Sequence, residues 1–86
     1  MEFEFDEKKS RVNKEKHGID YIKAQELWND PDRVEIPIRY LNEPRYVLIA
    51  VINNTHWSAI VTYRNNKTRL ISARRSRKNE KEIYQS

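Results

Sequence analysis

Three strand-like segments joined by pairs of asparagines most constrain the fold of this 86-residue chain. In order, these parts are 46–52, Asn53-Asn54, 56–63, Asn65-Asn66 and 68–73. Asparagine tolerates a positive φ better than other residues with a side chain, so each pair suits a tight hairpin turn. The second half of the chain therefore predicts three consecutive antiparallel strands, a β-meander.

The first eighteen residues predict a short strand followed by a polar helix. Residues 2–5 alternate phenylalanine with glutamate, which is the period of a half-buried strand. Asp6 is a favourable N-cap for a helix that ends at His17, because Gly18, the only glycine of the chain, suits a left-handed C-cap. Val12 is the one aliphatic residue of this helix and is therefore its expected core contact.

A second helix and an edge strand are predicted before the meander. Asp20 caps the helix, which spans 21–29 and has apolar residues at helical spacing. Residues 33–39 then alternate like a strand, and Pro37 marks an edge strand because proline donates no ladder hydrogen bond. Residues 40–44 form the connection to the meander.

The last meander strand runs into a short C-terminal helix. Residues 70–73 are apolar or small on both faces, which predicts a central strand covered on both sides. After Arg75 we expect a helix that ends near Tyr84. The predicted fold class is α+β, one domain over residues 1–86, in the order β-α-α-β-β-β-β-α. In this fold an antiparallel sheet carries the two N-terminal helices on one face, and the short helix ends the chain.

The chain has no cysteine, which excludes a disulfide framework and a cysteine-based metal site. No apolar run is long enough to cross a bilayer, and the acidic N-terminus lacks the features of a signal peptide. We therefore expect a soluble, cytoplasmic protein without membrane contact. Two separated histidines and scattered carboxylates form no ligand-spaced cluster, so neither a metal ion nor another cofactor is expected.

Positive charge is concentrated at the C-terminal end of the chain. Residues 64–86 contain eight lysines and arginines against two glutamates. Four of these cations directly follow the last strand: Arg74, Arg75, Arg77 and Lys78. Cations at a helix N-terminus interact unfavourably with the helix dipole. This cost argues against the simpler interpretation, in which the four residues are only a solvent-exposed start of the helix. They indicate a site for a polyanion such as a nucleic-acid backbone, because a guanidinium binds two phosphate oxygens at once.

His17 is the best candidate for proton transfer. It follows Lys16 at the end of the first helix, and histidine is the side chain best matched to acid–base chemistry near neutral pH. A favourable charge at a helix C-terminus explains it equally well. Glu80 and Tyr84 share a face of the last helix, but ion pairing and packing are their simpler interpretations. The other histidine, His56, is expected to be a surface residue at the start of a strand.

A set of residues along the chain matches the pattern of a known family: Phe3-Glu4-Phe5-Asp6, Asn13, Lys16-His17-Gly18-Ile19, Ala24, Trp28, Asp30-Pro31, Arg69-Leu70-Ile71-Ser72-Ala73-Arg74-Arg75, Glu80 and Tyr84. In these residues the chain resembles the BrnT family of toxins from type II toxin–antitoxin modules. Phe5 departs from the tryptophan of many members. Arg77 stands where many have a serine or threonine that caps the last helix, so Ser76 is the expected cap one residue earlier.

The resemblance implies a RelE-like fold and a metal-independent endoribonuclease that arrests translation. It also implies a BrnA-like antitoxin with a ribbon-helix-helix dimer, and contact with operator DNA only through the toxin–antitoxin complex. RNA is cleaved when its 2′-hydroxyl attacks the adjacent phosphate, which needs a base, an acid and cations. The catalytic candidates are His17, Arg74, Arg75, Glu80 and Tyr84. The RNA- and phosphate-binding candidates are Lys16, Arg64, Lys67, Arg69, Arg77 and Lys78.

Two other functions fit the same residues. A non-catalytic basic nucleic-acid-binding module would use the same cations but would not need His17. A pure interaction module, or an inactive copy of a toxin, would bind an antitoxin without cleaving RNA.

Overall fold

The computed structural model describes residues 1–38 and 42–86. Their elements are β1 (Glu2–Glu4), α1 (Glu7–His17), α2 (Tyr21–Ala24) with a following 3₁₀ helix (Gln25–Asn29), β2 (Val34–Ile38), β3 (Arg45–Ile52), β4 (Thr55–Arg64), β5 (Lys67–Arg75) and α3 (Lys78–Gln85). This order confirms the predicted α+β class. The end of the strand predicted at 33–39 and the first part of the connection predicted at 40–44 lie outside the described residues.

The β-meander is formed as predicted. β3 pairs antiparallel with β4, and β4 pairs antiparallel with β5. All four asparagines of the two turns have a positive φ, between 50° and 66°. These are the backbone angles that a two-residue hairpin turn with the twist of the flanking strands requires.

The sheet is mixed, so the prediction of a purely antiparallel sheet is wrong at one edge. The strand order is β1-β5-β4-β3-β2, and β1 runs parallel to β5. No hairpin joins β1 to β5, so no tight turn imposes an antiparallel direction on this pair. β4 is the middle strand. Among the described residues, β5 has a strand on its outer side only at residues 67–69. The prediction that residues 70–73 form the central strand is therefore also wrong.

The two N-terminal helices pack on one face of the sheet, as predicted. Side chains alternate between the faces of a strand, and one set of alternating residues forms the core with α2 and the 3₁₀ helix. Leu27, Leu48 and Val61 are fully buried in this core, and Leu70 is 2% exposed. Apolar burial on this face is thus the main stabilising contribution to the fold.

Polar contacts rather than an aliphatic side chain attach α1 to the sheet. Val12 is 49% exposed, so its predicted role in the core is wrong, and the buried residues of α1 are Ser10 and Asn13. The Asn13 amide donates to the carbonyls of Ile19 (2.7 Å) and Ala73 (2.8 Å). Its side-chain oxygen accepts the Ala73 N–H at 3.3 Å. Asn13 therefore takes the place of a neighbouring strand along this part of β5.

The helix ends follow the predicted capping residues. The Asp6 carboxylate accepts the Lys9 N–H at 3.0 Å, and Gly18 has a φ of 80° as the left-handed C-cap. The helix predicted over 21–29 begins at its Asp20 cap but tightens into a 3₁₀ helix after Ala24. Over the part of the chain that the structure describes, we find no helix that is both long enough and apolar enough to span a bilayer.

Candidate functional site

α3 lies against the sheet face opposite α1 and α2. Ser58 and Arg74 are paired across β4 and β5, and each alternates with an alanine of the core, Ala59 or Ala73. Both therefore point away from the helical layer, and both donate hydrogen bonds to Glu80 of α3.

Glu80 is the centre of a buried polar cluster. It is 8% exposed, and Arg74 binds it with both terminal nitrogens, Nη1 to Oε1 at 2.8 Å and Nη2 to Oε2 at 2.9 Å. Oε1 also accepts the Ser58 hydroxyl at 2.9 Å and the Arg77 N–H at 2.8 Å. These donors, Arg74 above all, lower the pKa of Glu80 to about 2. Glu80 is therefore a stable anion that orients Arg74, and it is a weak base.

The start of α3 depends on the same carboxylate. The hydrogen bond from the Arg77 N–H to Glu80 is the reach-back contact of a capping box, with Arg77 in the N-cap position. The expectation that Ser76 caps the helix is wrong. Its hydroxyl instead forms a 2.8 Å hydrogen bond with Ser58, and it is 8% exposed.

One edge of the Arg74 guanidinium has no hydrogen-bond partner among the described residues. Of its five N–H donors, two go to Glu80 and one goes to the Arg75 carbonyl at 3.2 Å. Within residues 1–38 and 42–86 no acceptor binds Nε or the second hydrogen of Nη2, and the side chain is 22% exposed. Nε and Nη2 form the side edge of the group, which matches two oxygens of a phosphate.

Arg75 points to the other face of the sheet. Adjacent residues of a strand alternate between faces, and Arg75 is paired with Trp57 on the helical side. Its guanidinium lies 5.7 Å from the centre of the Trp57 ring, in the range of a cation–π contact. The two arginines therefore do not converge on one face of the sheet.

His17 lies at the outer edge of β5. The groove that it lines contains Lys8, Lys9, Val12, Asn13, Lys16, Tyr21, Ile71 and Ser72. Ser72 and Arg74 share a face of β5, two positions apart, which is about 7 Å along the strand. Ser72 lines the groove of His17, but Arg74 does not.

Three predicted phosphate-binding cations lie at the far end of the sheet. Arg64 is six positions along β4 from Ser58, about 20 Å away, and it is paired with Lys67. Arg64 Nε lies 3.3 Å from a Glu4 carboxylate oxygen, and Arg69 lies 3.7 Å from the same oxygen. Arg64, Lys67 and Arg69 therefore lie far from Arg74 along the sheet, and the two arginines among them are ion-paired with Glu4.

The remaining cations lie closer to Arg74. Arg77 and Lys78 are exposed at the start of α3, next to the Glu80 cluster, and Lys16 lines the groove of His17.

Tyr84 belongs to a second cluster that the sequence did not suggest. Its hydroxyl donates to Asp30 at 2.6 Å, and this bond is the main cause that raises the pKa of Tyr84 to about 12. The same Asp30 oxygen accepts the Val51 N–H at 2.9 Å. The His56 ring packs edge-on against Tyr84 at 5.1 Å. Asp30 and Tyr84 are 54 residues apart, so no local pattern in the chain could have linked them.

Among the described residues, no group of three or more histidine, aspartate or glutamate side chains is arranged to hold a metal ion.

A family model described as "Ribonuclease toxin, BrnT, of type II toxin-antitoxin system" matches residues 5–80 of the chain. The matched range includes His17 and Arg74 and ends at Glu80, and it therefore excludes Tyr84. No curated protein sequence matches the chain.

Proposed function

Because the chain belongs to the BrnT family of ribonuclease toxins from type II toxin–antitoxin systems, we propose that it is a metal-independent endoribonuclease that arrests translation in the cytoplasm. The observation that carries this proposal is the guanidinium of Arg74, which Glu80 holds at the sheet edge. Two adjacent N–H donors of this group have no partner within residues 1–38 and 42–86. We also assign the α+β architecture to the RelE-like fold that the resemblance implies.

Arg74 binds the phosphate that is cleaved. The attack of the 2′-hydroxyl builds negative charge on the non-bridging oxygens, and a pre-oriented bidentate donor stabilises that charge without reorganisation. Glu80 fixes the orientation and, as an anion with a pKa of about 2, takes no part in proton transfer. Removal of a donor of this kind typically reduces the rate about 10²–10³-fold.

His17 carries proton transfer between the RNA and the solvent. The base must remove a proton from the 2′-hydroxyl, and an acid must protonate the 5′-oxygen that leaves. Tyr84 is poorly suited to either task, because its hydroxyl donates to Asp30 and its pKa is raised to about 12. The imidazole at the end of α1 is the remaining acid–base candidate, and its groove includes Ser72, two residues before Arg74 on the same face of β5. Lys16 adds positive charge to this groove.

The proposed partner is a BrnA-like antitoxin with a ribbon-helix-helix domain. The support is the family assignment, since a type II toxin is neutralised by a protein. In this scheme the toxin contacts operator DNA only as part of the complex, and its own substrate is RNA.

Cleavage of an RNA substrate by the purified protein, with and without EDTA, tests the proposal. We expect cleavage in both conditions and products with 2′,3′-cyclic phosphate ends, because the 2′-hydroxyl is the nucleophile. Arg74→Ala should lower the rate at least about 10²-fold, and His17→Ala about 10²–10⁴-fold. Arg64→Ala is the matched control, since it removes an arginine of the neighbouring strand β4, about 20 Å along that strand from Ser58, the residue paired with Arg74. It should leave the rate within about threefold.

Loss of cleavage in EDTA would contradict the metal-independent mechanism. Equal cleavage of RNA by wild type and by folded Arg74→Ala and His17→Ala variants would contradict the assignment of the site. RNA binding without any cleavage by the wild type would favour the non-catalytic binding module instead.

A further inference from the structure

A small cationic cleft opens where β4 begins and β5 ends. It has a volume of about 140 Å³ and is lined by Asn54, Thr55, His56, Arg75, Ser76 and Lys81. Three of these side chains are basic, and those of Asn54 and Thr55 can donate hydrogen bonds. Among the described residues, no carboxylate lines the cleft. Positive charge and hydrogen-bond donors without a carboxylate suit an anion.

The walls of the cleft are held in place by contacts within the protein. The Ser76 N–H donates to the His56 carbonyl at 3.0 Å, which joins the two strand ends across the cleft. The ring of His56 packs against Tyr84, and the guanidinium of Arg75 lies over Trp57. The cleft is therefore formed before any ligand binds, which reduces the entropy cost of binding.

The cleft shares a wall with the Arg74 site. The hydroxyl of Ser76 bonds to Ser58, and Ser58 donates to Glu80, which holds Arg74. Glu80, which joins this chain of hydrogen bonds, is paired with the cation Arg74, so its charge is compensated and repels a nearby anion little.

We propose that this cleft binds a second phosphate of the RNA strand, next to the phosphate that Arg74 binds. This inference rests on the proposed function and adds a subsite to it. His56 and Lys81 are the new ligands, and Arg75, whose guanidinium lies over Trp57, adds positive charge at the rim of the cleft. The cleft is too small and too polar for a stacked base, so it contacts the backbone and positions the strand without reading its sequence.

Binding of a fully 2′-O-methylated oligonucleotide, followed by fluorescence anisotropy at several salt concentrations, tests the subsite without cleavage. For a single strand, the slope of log K against log salt falls by about 0.7 for each phosphate contact that is lost. We expect Lys81→Gln and the double variant His56→Gln with Lys81→Gln to weaken binding, and the double variant to lower the slope by about 0.7. Lys81 is exposed on α3, so its substitution should leave the fold intact, and Lys81→Arg should keep the wild-type slope.

Lys14→Gln provides the charge-matched control, because it removes one exposed cation from α1 and none from the cleft. An unchanged slope and affinity in the double variant would overturn the proposal. An equal loss of slope with Lys14→Gln would overturn it too, because binding would then depend on diffuse positive charge. If the wild type failed to cleave unmodified RNA while the double variant still lost slope, the nuclease function would fall and the phosphate subsite would stand.

Discussion

Replacing Glu80 with glutamine tests whether the pair with Arg74 holds α3 on the sheet. Glutamine keeps the size of the side chain and an oxygen that accepts from Ser58 and Arg77. It removes the negative charge that the guanidinium of Arg74 binds at 2.8 and 2.9 Å. The variant therefore isolates the charged interaction from the packing and from the capping contact.

The expected cost follows from the pKa of the carboxylate. A shift from 4.5 to about 2 corresponds to about 3 kcal/mol of extra interaction with the ionised form, at 1.36 kcal/mol per pKa unit. The carboxylate side chain is 11% exposed, so solvent screens it little, but the partner Arg74 is 22% exposed and regains some hydration in the variant. We therefore expect Glu80→Gln to lower the free energy of unfolding by about 2–3 kcal/mol at pH 7.

The pH dependence gives the prediction its sharpest test. The pKa of Glu80 is lower in the folded state than in the unfolded chain, so its stabilisation is complete above pH 4.5 and is lost as the pH falls toward 2. In urea denaturation, the difference between wild type and Glu80→Gln should shrink by about 2 kcal/mol between pH 7 and pH 2.5. Other carboxylates with lowered pKa values, such as Asp6 and Asp30, cancel in this difference.

Glu82→Gln is the matched control on the same helix. Glu82 is exposed, and its substitution should change the free energy of unfolding by less than about 0.5 kcal/mol at either pH. A stability difference between wild type and Glu80→Gln that stays constant from pH 7 to pH 2.5 would refute the reasoning, because the cost would then not depend on the carboxylate charge.

Two further substitutions test how α1 is held. Asn13→Ala leaves the Ala73 carbonyl and N–H without their side-chain partner, so chemical denaturation should show a free energy of unfolding lower by about 2–4 kcal/mol. RNA cleavage should also fall, because Asn13 keeps the helix of His17 beside β5. A loss under about 0.5 kcal/mol would contradict this role. Gly18→Ala should cost about 1 kcal/mol in thermal denaturation, because Gly18 has a φ of 80° and no atom lies within 4 Å of an added Cβ; a loss above about 3 kcal/mol would mean that packing also matters there.

The local features of the fold could be predicted from the sequence because neighbouring residues decide them. The asparagine turns, the Asp6 and Asp20 caps and the left-handed Gly18 all depend on backbone angles within a few residues. Strand alternation around these turns was equally visible. The prediction that Val12 contacts the core is wrong because α1 is attached to the sheet by hydrogen bonds of Asn13. The spacing of apolar residues along a helix gives no information about such a polar contact.

Part of the candidate site was also visible in the chain. The sequence predicts Arg74 for the phosphate and an ion pair as the simpler role of Glu80, and the ion pair is confirmed. That Arg74 is the partner could not be predicted, because the pair joins the end of a strand to a buried position on the next helix. His56 was expected to be an ordinary surface residue. It became a candidate ligand because the fold brings it beside Tyr84, Arg75 and Lys81.

The amino-acid order alone determined the strands, the two asparagine turns, and the caps at Asp6, Gly18 and Asp20, since each depends on interactions within a few residues. Only the folded chain decided that β1 runs parallel to β5 and that Arg74 and Arg75 face opposite sides of the sheet. It also decided that Asp30 anchors Tyr84 from 54 residues away. Contacts over such separations depend on how whole elements pack against one another, and the same local pattern is compatible with several such arrangements.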